Sequence, residues 1–70
     1  MTKTYKPTIK PFNEEKFYTN GQTFATKAEA EASAEARYNR WSQADDWGVE
    51  ESTEPVNYKW IEGEGDVNIG

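Results

Sequence analysis

Two adjacent carboxylate pairs, Asp45-Asp46 and Glu50-Glu51, stand on either side of Trp47-Gly48-Val49 in the stretch ADDWGVEESTEPVNYKW. Glu54 follows, and Lys59 is the only cation in the run. Side chains of this kind can do three things. They can act as a general acid and base, hold a hard cation through oxygen, or dock a positively charged partner.

The first two chemistries fit poorly. A catalytic carboxylate pair needs a cleft that drives its two pKa values apart. A domain of 70 residues buries only about 60% of its unfolded surface, which leaves little room for one. The chain has no histidine and no cysteine, which removes Ser-His-Asp, Cys-His and zinc-hydrolase arrangements. No GxxxxGK[ST] or GxGxxG loop is present. A non-enzyme is expected, with no cofactor and no metal site. ADDWGVEE and EGEGDVN offer oxygens near glycines, but neither follows the calcium-loop spacing D-x-[DN]-x-[DN]-G-x5-E.

Docking fits better, because the charge is unevenly distributed. Residues 1–44 carry seven cations against five acids, a net of +2, while residues 45–70 carry one lysine against eight acids, a net of −7. An acidic surface repels nucleic acid and membrane phosphates and steers basic protein surfaces toward it. Asp45, Asp46, Glu50, Glu51 and Glu54 are therefore the candidate partner-binding residues, with Trp47 as their aromatic anchor. The lysines near Tyr5 and Phe12 are a small basic footprint against a net charge of −5, so direct nucleic-acid binding is not expected. No apolar run approaches a membrane span, and the start MTKTYKPTIK lacks a secretory hydrophobic stretch. The expected setting is a cytoplasm, and the expected state a monomer or weak homo-oligomer.

The elements that must position these residues follow from local signals. Pro7 and Pro11 disfavour a helix, so residues 1–12 read as an extended N-terminal arm. Asn20-Gly21 is a type I′ hairpin signal that sets Phe17 opposite Phe24. Thr26-Lys27-Ala28-Glu29 matches a capping box, opening a helix whose stripe is Ala30, Ala34, Tyr38 and Trp41. Asp45 and Asp46 belong past its end, because acids oppose the carbonyl pole of a helix, and Gly48 helps the chain turn. VEES and VNYKWIE then read as two strands joined around Thr53-Glu54-Pro55. The tail 64–70 frays or adds an edge pairing through Val67 and Ile69.

The expected fold is α+β. It is a small ββαββ two-layer domain over residues 13–63, with one helix on a three- or four-stranded sheet. The chain has no leucine and ten aromatic residues, so rings must supply most of the core.

FATKAEAEASAEARYNRW, entered from a hairpin and followed by VEES and VNYKW, resembles small orphan accessory proteins of tailed phages, including those of cyanobacteria. The likeness covers residues 16–62. The architecture is also similar to that of the short acidic inhibitor with which some podophages block host RNA polymerase. The resemblance implies an accessory viral protein acting in the host cytoplasm and carries over no residue position by position. The reading it favours is a non-catalytic acidic module that binds and modulates a basic surface of a host polymerase, nuclease or defence complex. The alternative is a minor structural or assembly protein that self-associates through edge strands.

Overall fold

The computed structural model describes residues 3–70. It is an α+β domain of strands β1 (Thr4–Pro11), β2 (Tyr18–Thr19), β3 (Ala44–Ser52), β4 (Tyr58–Ile61) and β5 (Gly65–Asn68), with one helix, α1 (Lys27–Arg40). An antiparallel sheet of order β2-β1-β3 carries α1 on one face, and β4 and β5 form a separate antiparallel hairpin.

The helix forms as its capping box predicts. Thr26 is the N-cap, and its hydroxyl oxygen accepts from the Glu29 backbone N–H at 3.2 Å. Glu29 does not reach back to the Thr26 backbone. One of its oxygens accepts from the Thr26 hydroxyl at 3.0 Å, and the other accepts from the Trp60 backbone N–H at 3.0 Å, tying the helix start to β4. Ala30, Ser33 and Ala34 are the buried positions, and these small side chains let the helix approach the sheet closely. Trp41 is not part of the buried stripe. It is the C-cap, its N–H donates to the Arg37 carbonyl, and its side chain is 41% exposed.

Residues 4–11 of the expected arm are the central strand of the sheet, and residues 1 and 2 of that arm lie outside the described ones. A central strand with two prolines needs a reason, since each lacks a ladder donor. Tyr5 donates to the Phe24 carbonyl at 2.9 Å and accepts from the Phe24 N–H at 2.7 Å, so its backbone groups point away from β3. Alternation sends those of Pro7, Ile9 and Pro11 the same way. On that side β2 pairs only Thr8 and Ile9, so neither proline faces a ladder partner.

The Asn20-Gly21 hairpin does not form. Tyr18 pairs with Ile9 and Phe24 with Tyr5, so the whole segment runs along β1. Six residue steps on one side span four on the other, and the surplus loops out at Asn20-Gly21. Gly21 takes φ +86°, and the Asn20 side-chain oxygen accepts from the Gln22 N–H at 3.1 Å. A hairpin would have put Phe17 and Phe24 on one face. Pairing with β1 instead buries Phe24 completely, against Tyr58 at 6.2 Å between ring centroids, and leaves Phe17 exposed.

Two further expectations change. Asp45 and Asp46 do lie past the helix, but within β3, and Gly48 is an extended strand residue rather than a turn. β3 does not pair with β4; its partner is β1, and β4 pairs with β5, the edge pairing that is one of the two expectations for residues 64–70. Val67 lies opposite Lys59, and the Ile69 N–H donates to the Asn57 carbonyl at 2.9 Å. The turn between β4 and β5 uses Gly63 and Gly65 at φ +87° and +86°, a conformation that favours glycine.

Candidate functional site

Five of the six candidate residues lie on β3, and Glu54 follows in the connection to β4. Strand alternation separates them. Lys10 faces Asp46, Thr8 faces Gly48 and Lys6 faces Glu50 across the β1–β3 ladder, all on the sheet face away from the helix. Ile9 faces Trp47, Pro7 faces Val49 and Tyr5 faces Glu51 on the helix side. Trp47 is half-buried there and shares no face with Asp46 or Glu50. It does not anchor one continuous acidic patch.

The ladder slips between Lys10 and Pro11, leaving Asp45 as the extra residue of a β-bulge. This irregularity lets Asp45 reach Lys10, with which it forms an ion pair. Lys6 pairs with Glu54, and Lys3 lies 3.5 Å from Glu51. Lys6 is the most enclosed of these cations, its side chain only 13% exposed. The lysines of residues 1–12 therefore compensate Asp45, Glu51 and Glu54, which the charge asymmetry alone presented as open carboxylates. Asp46 and Glu50 form no ion pair among the described residues. Lys6 and Lys10 repeat at the same spacing as Asp46 and Glu50, which face them in register, but that spacing does not give the ion pairs formed, which run to Glu54 and Asp45.

The outer side of β3 is the second feature. From Asp46 to Ser52 the even-numbered residues of β3 share the ladder with β1, so the N–H and C=O groups of Trp47, Val49 and Glu51 point outward. Among the described residues, 45–52 make no backbone–backbone hydrogen bond outside that ladder. The outward N–H of Trp47 donates to the Asp46 carboxylate at 2.8 Å. β3 is thus a nine-residue edge strand bordered by acids on both faces.

Two features were not anticipated. A groove of about 240 Å³ is floored by Pro7, Ile9 and Pro11 and rimmed by Tyr18, Arg37 and Trp41. Beneath the helix, buried Gln22 accepts from Arg37 Nη2 at 2.9 Å and from the Ser33 hydroxyl at 3.4 Å. Its amide nitrogen donates to Asp66 at 2.9 Å. Arg37 lies 3.8 Å from the same Asp66 oxygen. Arg37 Nε and Asp66 Oδ1 are buried without a partner. The cluster links helix, loop and β5. These contacts join residues up to 44 positions apart, which no local pattern announces.

Comparisons with protein-family models, curated proteins and solved structures return no match. Among the described residues no helix is long and apolar enough to cross a membrane. No three His, Cys, Asp or Glu side chains among them come together to hold a metal ion.

Proposed function

We propose that the chain is a non-catalytic module that docks a basic surface of a protein partner through β3. The supporting observation, in a chain of net charge −5, is the pair Asp46 and Glu50, which lie on one face of an edge strand and form no ion pair among the described residues. The lysines facing them, Lys10 and Lys6, pair with Asp45 and Glu54 instead. The resemblance to small tailed-phage proteins supplies a setting, in which the partner is a polymerase, nuclease or defence complex of the host cytoplasm.

Self-association through β3 is the weaker reading. Acids are placed symmetrically about Gly48, so an antiparallel pair of copies centred there sets Asp45 against Glu51 and Asp46 against Glu50. Like charges directly opposite one another destabilise a sheet.

The test is association kinetics with purified host RNA polymerase and a basic host nuclease over a salt series. Asp46→Asn with Glu50→Gln slows association and flattens its salt dependence. Unchanged kinetics reject the acidic face as the docking surface.

A further inference from the structure

We infer that β3 takes an extended, basic segment of the partner as a fourth strand of the sheet; this deepens the docking reading above and rests on it. The argument starts from the backbone. An edge strand presents unpaired N–H and C=O groups as a template for another chain. Here the alternate residues Trp47, Val49 and Glu51 face outward in this way, the Trp47 N–H being covered by the Asp46 carboxylate.

The side chains select the occupant. Asp45 and Asp46 stand at one end of the strand and Glu50 and Glu51 at the other, with Trp47, Gly48 and Val49 between them. A segment with lysine or arginine at both ends and uncharged β-formers in the middle matches this pattern in the antiparallel sense. Its inner cations face Asp46 and Glu50, which form no ion pair among the described residues, and its outer ones face Asp45 and Glu51, which already pair with Lys10 and Lys3. A second copy of β3 is repelled in the same register. An acidic or neutral strand gains the backbone bonds without the charge pairing.

Asp46 adds a latch. Its carboxylate covers the outward Trp47 N–H at 2.8 Å, one of the devices that keep an edge from pairing indiscriminately. An incoming cation opposite Asp46 competes for that carboxylate and frees the N–H for the partner's carbonyl. Basic character in the ligand thus serves twice, by pairing with the acid and by opening the ladder.

The experiment uses the full chain and three synthetic peptides of one charge: Lys-Lys-Thr-Val-Thr-Lys-Lys and two N-methyl derivatives of it that are isomers of each other, one methylated at the first threonine and one at the valine. In the centred antiparallel register the threonine N–H points at β3 and the valine N–H points away. The parent and the valine isomer are expected to bind alike and to shift the backbone amide resonances of Trp47 and Val49. The threonine isomer is expected to bind about tenfold more weakly or worse, having lost a ladder bond. Equal binding of the two isomers overturns strand addition while leaving charge docking standing. No binding by any peptide also overturns it, and the polymerase and nuclease kinetics then judge the docking reading separately.

Discussion

The β1–β3 pair and the β4–β5 hairpin are both antiparallel, yet different forces set them in place. β1 and β3 join residues some forty positions apart through a long backbone ladder, and charge matching at Lys6, Lys10, Asp46 and Glu50 favours that register. β4 and β5 close through a local turn, and the hairpin meets the rest of the molecule through backbone bonds from Asn57 and Tyr58 to the Thr23 carbonyl and through side chains. Asn57 accepts from the Thr23 N–H at 2.7 Å and donates to the Gly21 carbonyl at 2.9 Å, Glu29 accepts from Trp60, and Asp66 accepts from Gln22. Many weak, solvent-screened charges assist the first pairing. A few hydrogen bonds hold the second, most of them partly buried and so costlier to leave half-made than an exposed charge pair.

Phe24 belongs to both regions, so its removal should erase the difference between them. Its ring is fully buried against Tyr58 and its backbone pairs with Tyr5. Phe24→Ala is expected to cost about 3–5 kcal/mol, much of the stability of a domain this small. Thermal unfolding by circular dichroism checks it. A loss below about 1 kcal/mol would mean that the site collapses freely and is no junction.

Gln22→Ala separates the regions. It strips Ser33, Arg37 and Asp66 of a buried partner, at an expected cost of about 1–3 kcal/mol. Hydrogen exchange should quicken at Lys59 and Val67 before it changes along β1 and β3. Simultaneous loss of protection in both would show that they unfold as one unit.

Thr26→Ala removes the cap and is expected to cost about 1 kcal/mol. Because Glu29 also holds Trp60, Glu29→Ala should cost more than the cap alone and loosen β4. If the two variants were equally destabilising, the bond to Trp60 would contribute nothing.

The smallest effect belongs to the exposed ion pair. Lys3→Ala, losing a 3.5 Å contact to Glu51 with both side chains largely exposed, should change stability by about 0–1 kcal/mol and less in high salt. Lys6→Ala should exceed it, because Lys6 is more enclosed. A reversed order would detach burial from the strength of these pairs.

The elements legible in the sequence were those whose causes lie within a few residues. Thr26 and Glu29 announced the helix start, Ala30 and Ala34 its buried side, and the acids at 45 and 46 a chain already past its end. Asn20-Gly21 carried an equally local signal and was overridden, because pairing with β1 buries Phe24 where a hairpin would have left it beside Phe17. Pro7 and Pro11 pointed to an arm only because a proline's missing donor matters on one side of a strand, and which side faces a neighbour is not a local property. The candidate acids fall together on β3 and just after it, but their faces and their partners depend on strand pairing that the sequence did not show.

Charge shows the division most clearly. The amino-acid sequence by itself determined a net charge of −5, its concentration after residue 44, and a helix between two β segments. Only the tertiary structure decided that the basic strand lies against the acidic one, compensating Asp45, Glu51 and Glu54 and leaving Asp46 and Glu50 on an open edge. Helix caps and total charge are sums over neighbours in the chain, whereas strand partnership is a choice among distant segments, settled by which pairing buries the most apolar surface and leaves the fewest backbone groups unmatched.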